Sequence, residues 1–210
     1  IDNYVDKDGN KIQPNAHPGD FKFAKLGESG ALNDDDDRTF IGDPNPDLIY
    51  GFNLGFEWKG LDVSASFQGT LGNDIYNAAK GSLAVAGYQN ALADAYTKAC
   101  RQEGDNAVYP RITTSNDNNN FRVSSFMVED GSYLRLQNLQ IGYTLPTTLV
   151  SKLGYIRSAR IYMSAQNLFT ITGYSGLDPD LGVSNPLNMG YDSTRYPSSR
   201  TFMFGINLQF

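Results

Sequence analysis

The final stretch of the sequence, residues 201–210, alternates between large apolar residues and residues that are mostly small or polar. A period of two predicts a β-strand with one wholly apolar face. At the edge of a soluble sheet such a strand would promote aggregation. It therefore fits either a closed barrel whose outer face meets lipid or the buried face of a soluble sandwich.

Two longer alternating stretches, Leu48–Trp58 and Leu61–Leu71, are separated only by Lys59 and Gly60. Such a spacing predicts a β-hairpin with a tight turn. Strands of this length, tilted as in a barrel, rise about 25 Å, which matches the apolar band of outer-membrane barrels. Soluble strands average only about 5–6 residues.

Two further strands are predicted at residues 132–145 and 157–170, joined by a turn and short helix at residues 147–154. The apolar residues of the first of these strands change parity midway. A bulge within one or two residues of Gln137 and Asn138 would restore a single apolar face. The predicted fold class is all-β, with about five long antiparallel strands forming a segment of a transmembrane barrel.

The connections between the strands alternate in length. The second and fourth, residues 72–131 and 171–199, are long; a short helix is expected at residues 90–100 and a mobile polar tip at residues 116–120. Bacterial barrels have short periplasmic turns and long extracellular loops, whereas loops this long are rare in compact soluble domains. The alternation favours a membrane barrel with its C-terminus on the periplasmic side.

The polar first part of the chain, residues 1–47, is predicted to be an extracellular loop region, followed by barrel strands over residues 48–210. It contains a predicted short strand at residues 21–26 and an acidic run ending at Arg38. The chain opens within what reads as mid-domain sequence, and we expect it to lack its natural N-terminus.

Composition excludes several kinds of function. The net charge of −6 and the absence of a basic stripe argue against nucleic acid as a partner. The single Cys100 excludes an internal disulfide, and the single His17 excludes a histidine-rich metal site. No catalytic constellation or phosphate-binding loop is present, so the sequence does not predict an enzyme.

Six segments together resemble the late barrel region of SusC/RagA-type TonB-dependent outer-membrane transporters. They are residues 18–23 (PGDFKF), 37–46 (DRTFIGDPNP), 109–112 (YPRI), 129–139 (EDGSYLRLQNL), 142–146 (GYTLP) and 165–170 (AQNLFT). The resemblance covers residues 18–210, and the terminal phenylalanine belongs to it.

The resemblance implies a barrel of roughly 22 strands with a plug in its lumen, of which this chain would be the C-terminal fifth or so. It further implies import of glycans or peptides, a SusD-like lipoprotein on the extracellular side, and coupling to the TonB complex through missing N-terminal sequence. In such a barrel, outer-membrane lipid is expected to contact the apolar residues Tyr50, Phe52, Leu54, Phe56, Phe202, Phe204, Ile206, Leu208 and Phe210.

Aromatic residues of the loops are the predicted substrate contacts, because sugar rings stack on aromatic faces. These residues are Tyr76, Tyr88, Tyr109, Tyr174, Tyr191 and Tyr196. The alternative is that they pack the loops together or form an interfacial girdle.

Calcium is the one cofactor considered, and the expectation otherwise is none. The segment that matches the family's calcium loop, residues 25–30 (KLGESG), lacks side-chain oxygens at two early ligand positions. The acidic run downstream leaves calcium possible at Asp34 and Asp36, and the alternative is a solvated acidic turn.

Two other classes of protein remain open at this point. One is a small complete outer-membrane barrel with a structural or adhesive role. The other is a secreted β-sandwich that binds carbohydrate.

We predict that residues 1–210 expressed alone will be insoluble or aggregated. The strands Leu48–Trp58 and Thr201–Phe210 would be unpaired edges, and no second apolar sheet is available to cover their apolar faces. Ordering each residue still costs about 1–2 kcal/mol. Size-exclusion chromatography and thermal melting test this; a soluble, monodisperse, cooperatively melting product would favour the sandwich.

Overall fold

The computed structural model describes residues 4–85, 90–115, 117–182 and 186–210. The chain forms two compact units. The loop unit comprises Ile1–Asp43, Tyr76–Val128 and Tyr191–Thr194, and the sheet unit comprises Pro44–Ile75, Glu129–Gly190 and Arg195–Phe210. The units interleave along the chain, whereas the sequence alone suggests one division after Asp47.

Eight strands occur in the described residues: β1 (Leu48–Trp58), β2 (Leu61–Leu71), β3 (Asp74–Asn77), β4 (Val128–Asp130), β5 (Tyr133–Thr144), β6 (Ser158–Thr172), β7 (Tyr191–Asp192) and β8 (Thr201–Gln209). The α-helices are α1 (Ala78–Val85), α2 (Ala93–Thr97) and α3 (Thr147–Val150), and 3₁₀ turns cover Ser125–Met127, Ser151–Leu153 and Pro186–Asn188. None of the described helices is long and apolar enough to cross a membrane.

The five long strands form one antiparallel sheet in the order β1-β2-β5-β6-β8. All five predicted long strands are confirmed, with ends within two residues of the predicted ones. The sheet is open, and β1 and β8 are its edges.

The register of the sheet separates apolar from polar side chains across all five strands. Residues paired directly across antiparallel strands share a face. One such row runs through Phe56, Val63, Ile141, Met163 and Phe204. The adjacent row, on the opposite face, runs through Gly55, Ser64, Gln140, Ser164 and Met203. The sheet therefore has an apolar face and a polar face.

The apolar face is open to solvent rather than packed into a core. Phe204 is 78% exposed, and Leu54, Phe56 and Ile206 are also exposed. A β-sandwich would bury this face against a second sheet. The exposure therefore speaks against the sandwich hypothesis.

The predicted bulge in β5 is confirmed. Ser66 of β2 pairs with Asn138, but the next residue, Phe67, pairs with Leu136, so Gln137 is an extra residue. Its insertion brings Leu136 onto the apolar face together with Leu139 and thereby repairs the parity change.

A second bulge, on β6, was not anticipated. Asn167 and Leu168 together lie opposite Gln137, and Asn167 has a φ of +52°. Asparagine tolerates this left-handed conformation better than most residues. Met163 and Ala165 before the bulge and Phe169 and Ile171 after it keep one parity, so only Leu168 departs from the alternation there.

On the polar face an ion pair crosses a glycine. The Arg160 guanidinium on β6 donates to the Asp62 carboxylate on β2, with a Nε–Oδ1 distance of 2.9 Å. It passes over Gly142 of the intervening β5, where an added Cβ would lie 2.3 Å from Arg160 Nη2. Gly142 is therefore needed for the close approach of the Arg160 side chain.

The prediction of a short strand at residues 21–26 is wrong. In the loop unit the backbone N–H groups of Phe21, Phe23 and Lys25 donate to side chains instead of a neighbouring strand. Their acceptors are Asn120 Oδ1 at 3.1 Å, Gln13 Oε1 at 2.8 Å and Tyr4 Oη at 2.9 Å. The alternating donors of an extended segment are thus satisfied without a sheet.

The predicted helix at residues 90–100 is confirmed in part, as the five-residue α2, and α1 was missed. Gly81 lowers the helix propensity of α1, and its lack of a side chain makes room for Met127, whose Sδ would lie 2.7 Å from an added Cβ. Asn77 begins the helix, since its Oδ1 accepts the N–H of Lys80 at 2.9 Å.

We predict that Gly142→Ala in a full-length protein containing this chain lowers the midpoint of heat unfolding. The new methyl group displaces the Arg160 guanidinium and so weakens the ion pair that joins β6 to β2. Gly55→Ala is the matched control, because nothing lies within 4 Å of a Cβ added there. Equal midpoints for the two variants would contradict the steric role of Gly142.

Candidate functional site

Two of the predicted substrate residues stack on each other in the loop unit. Tyr76 of β3 and Tyr191 of β7 are paired in a parallel bridge, with ring centroids 5.5 Å apart and an interplanar angle of 10°. Tyr76 Oη donates to Met127 Sδ at 3.0 Å. Burial, with a smaller effect from Tyr191, raises the pKa of Tyr76. The Tyr191 ring is half exposed and presents an aromatic surface.

Tyr109 belongs to a different aromatic cluster of the loop unit. Its ring meets Phe126 edge-on at 5.5 Å, and Phe126 also contacts Phe21 at 4.7 Å. The Lys80 ammonium lies 4.5 Å from the Phe126 ring centroid. This cluster packs the loop unit from within, as the alternative interpretation of the tyrosines expects.

The remaining predicted substrate residues are separate from these. Tyr174 is buried and Tyr196 is 87% exposed, both in the sheet unit. Tyr88 lies outside the described residues. Of the six tyrosines, the described structure therefore brings together Tyr76 and Tyr191. Their contact with substrate stays a prediction.

Asp37 organises the acidic turn. Its carboxylate accepts the N–H groups of Leu26, Gly27 and Asn33 at 2.7–2.8 Å and pairs with the Lys25 ammonium at 2.9 Å. Burial of the carboxyl opposes its ionisation, but these donors outweigh burial and hold the pKa of Asp37 well below its usual range. The turn is thus built around one buried anion rather than a solvated acidic run.

The two residues considered for calcium lie at the exposed rim of this turn. Asp34 Oδ1 is 3.1 Å from Arg122 Nε, and Asp36 is exposed. Within the described ranges no three His, Cys, Asp or Glu side chains are grouped closely enough to hold a metal ion. Calcium at Asp34 and Asp36 stays a prediction.

The polar tract at residues 116–120 is not a mobile tip at Asn118 and Asn120, so that prediction is wrong for these two residues. Both are buried, and Asn118 Nδ2 donates to Asn120 Oδ1 at 2.8 Å. Asn120 Nδ2 donates to Asp20 Oδ1 at 3.0 Å, and Asp20 pairs with Arg111 at 2.8 Å. Asn116 itself lies outside the described residues. Asn118 and Asn120 thus belong to a buried polar network of the loop unit.

A second buried network lies on the polar face of the sheet. Arg135 of β5 is 3% exposed, and its Nε donates to Thr170 Oγ1 at 3.0 Å. Its guanidinium also binds Asp178, Asp180 and Ser198 of the connection between β6 and β8. Burial penalises the Asp178 carboxylate, but the N–H groups of Ser198 and Asp180 and the Arg135 guanidinium lower its pKa overall.

A cleft of about 350 Å³ opens beside this network. Its walls include Arg135, Asn167, Thr170, Leu177, Pro179 and Arg200. Hydroxyl, amide and guanidinium groups are mixed with apolar surface, which suits a polar organic ligand rather than a lipid.

The sequence analysis did not single out Arg135, Asp178, Asp20 or Arg111. A signal for the first pair is present in retrospect. Arg135 is a charge within a strand, at a position whose parity places it on the polar face, and an Asp-Pro-Asp turn follows in the next long loop. Nothing local in the sequence shows that these two features meet.

Comparisons with known proteins agree on one family, although no family model matches the chain. TonB-dependent receptor P3 of Formosa agariphila is 37% identical over 205 residues, which are 95% of this chain and 20% of that protein. TonB-dependent receptor SusC of Bacteroides thetaiotaomicron is 25% identical, over 93% of the chain and 18% of SusC.

A solved structure has the same fold. The RagAB peptide importer in its closed-closed state contains a chain that matches with a TM-score of 0.67 and 26% identity. The match covers 98% of this chain and 20% of the other. This chain thus spans about a fifth of the length of the relatives that it matches.

We predict that the N–H groups of Leu26, Gly27 and Asn33 stay protected from hydrogen exchange at about pH 3, where an ordinary aspartate is mostly protonated. A depressed pKa means that stability from Asp37 is present above its unfolded value of 3.8 and is lost only as pH falls through the lower folded value.

The matched variants are Asp37→Ala and Asp36→Ala, measured by hydrogen exchange and mass spectrometry in the full-length protein. At about pH 3, Asp37→Ala should reduce the protection of these N–H groups from hydrogen exchange by about tenfold or more, because several charge-assisted hydrogen bonds are lost. Asp36→Ala should leave it unchanged. Equal effects would show that Asp37 does not organise the turn.

Proposed function

The chain is a homologue of SusC/RagA-type TonB-dependent receptors over nearly its whole length, and from this premise we propose that it forms part of the barrel wall of an outer-membrane importer. The observation that supports this role most strongly is the separation of apolar and polar residues along five paired strands. We assign the apolar face to lipid and the polar face to the lumen.

The dimensions of the sheet fit this assignment. Its long strands have 9–15 residues, enough to cross the apolar band of a bilayer when tilted. Phe204 and its apolar neighbours on the sheet are largely exposed. An apolar surface of this kind is unfavourable in water, and lipid would cover it. The open edges at β1 and β8 would pair with other strands of the same barrel, since unpaired edges do not occur in the hydrocarbon region.

The connections support an orientation. The Lys59–Gly60 turn, the connection at residues 145–157 and the end of β8 lie at the same end of the sheet. The long loops leave from the opposite end. In outer-membrane barrels the short turns are periplasmic, so we assign Phe210 to the periplasmic side and the long loops to the cell exterior.

The proposed cargo is an oligosaccharide or a peptide. RagAB is described as a peptide importer, which supports the second possibility. The half-exposed Tyr191, backed by Tyr76, offers a flat surface for a sugar or aromatic side chain. The relatives are named receptors, and we propose no catalytic step for this chain.

The proposed partners are a SusD-like surface lipoprotein and the TonB complex. The RagAB and SusC relatives support a shared organisation. Contact with the TonB complex would be made by sequence outside residues 1–210. The small structural barrel would have no relation to TonB, and so the named relatives disfavour it.

We predict that two substitutions at neighbouring positions of β8 in the full-length receptor differ in their effects. Phe204→Lys should reduce the amount of folded, heat-resistant receptor in the outer membrane, because lysine at the lipid face near the midplane costs about 2–4 kcal/mol. Met203→Lys should be tolerated, because Met203 shares the polar face with Ser164.

Folded receptor is measured in outer-membrane fractions by the heat-dependent shift in its electrophoretic mobility. Similar yields for the two variants, or a larger loss for Met203→Lys, would overturn the assignment of faces. Recovery of wild-type receptor in the soluble fraction would overturn the membrane function as a whole.

A further inference from the structure

Arg135 is fixed to the polar face of the sheet by its register. It pairs with Gln68 of β2 on one side and Thr170 of β6 on the other. An arginine on a polar sheet face would normally extend into solvent, yet Arg135 is among the most buried side chains of the sheet unit. Something on the polar face covers it.

The cover is the connection between β6 and β8. Asp178 supplies the principal partner, since its Oδ1 accepts a short hydrogen bond from Arg135 Nη2 and the N–H of Asp180 at 3.0 Å. Its Oδ2 accepts the N–H of Ser198 at 2.9 Å. One carboxylate thus joins both limbs of the connection to a single buried cation.

This arrangement fixes the loop in place. Each of the three guanidinium nitrogens donates to at least one acceptor, on Thr170, Asp178, Asp180 or Ser198. Moving the loop away from Arg135 would break these ion pairs and hydrogen bonds together, whereas an ordinary surface loop has no such network to break. Residues 173–182 are therefore held against the sheet and not free to swing.

Resting on the proposed function, in which the polar face lines the lumen, we infer that residues 173–182 fold inward against the barrel wall and narrow the path of the substrate. A loop that binds the polar face of a barrel wall lies inside that barrel. The segment would act as a fixed size filter, with Arg135 as its positioning residue.

The surface that this segment offers to the path is mixed in character. Leu177 is 66% exposed, whereas Pro179 of the same segment is buried. Arg200 and Asn167 line the neighbouring cleft of about 350 Å³. Such a surface offers one apolar and several polar groups to a flexible peptide or oligosaccharide chain that passes it.

Cysteine labelling of the full-length receptor on intact cells tests the inference. Leu177→Cys is made in a background whose other cysteines, Cys100 included, are replaced by serine. The probes are N-ethylmaleimide and a polyethylene-glycol maleimide too bulky to enter a barrel. Each rate is divided by the rate for the same variant after unfolding, which removes intrinsic differences between the reagents.

For an inward loop, the small reagent should label Leu177→Cys about tenfold or more faster than the bulky one, because access is sterically filtered. Adding Asp178→Asn should raise labelling by the bulky reagent about tenfold, since it leaves Arg135 with only the more distant carboxylate of Asp180, 3.4 Å away. Asp130→Asn, a carboxylate of the sheet unit outside this network, is the matched control and should not change it.

Equal relative rates for the two reagents in a folded receptor would overturn the inward position of the loop. An unchanged rate in Asp178→Asn would overturn the role of Arg135 and Asp178 in holding it. Folding is followed separately by heat-dependent mobility, so that failure of the loop inference is distinguishable from failure of the proposed membrane function, in which no folded receptor reaches the membrane.

Discussion

Backbone hydrogen bonding is the constraint on which the rest of this structure depends. A chain that crosses hydrocarbon as strands must pair every N–H and C=O with neighbouring strands, because lipid offers no partners. Along their shared edges, neighbouring strands of the sheet are paired continuously except at the bulges, and the outer edges of β1 and β8 are open. Once the backbone is paired in this way, side chains alternate between two faces, and each face must suit its own surroundings.

The polar face shows how charge is tolerated under that constraint. Arg160 reaches Asp62 across Gly142, and Arg135 is neutralised by aspartates from a loop. Each cation has an anion within hydrogen-bonding distance, so neither is left uncompensated. The two ion pairs differ in consequence, since the first joins strands to each other and the second joins a long loop to the sheet.

In the loop unit, backbone N–H groups find acceptors on side chains rather than on neighbouring strands. Extended segments there donate to asparagine, glutamine and tyrosine side chains, and Asp37 gathers backbone N–H groups into one turn. A long loop whose backbone N–H groups donate to side chains needs no neighbouring strand. This is why polar residues such as Asn118 and Asn120 can be buried although the composition around them is that of a flexible linker.

Sequence alone determined the long strands, the β5 bulge and the separation of faces, because a period of two is written in consecutive residues such as those of β8 and needs no knowledge of distant contacts. The resemblance of short segments was likewise enough to identify the family. Only the tertiary structure decided that Asp178 meets Arg135, 43 residues away, and that Asn120 replaces a neighbouring strand for Phe21, 99 residues away. Such contacts depend on where loops return, and loop return is set by the summed packing of the fold rather than by any local pattern.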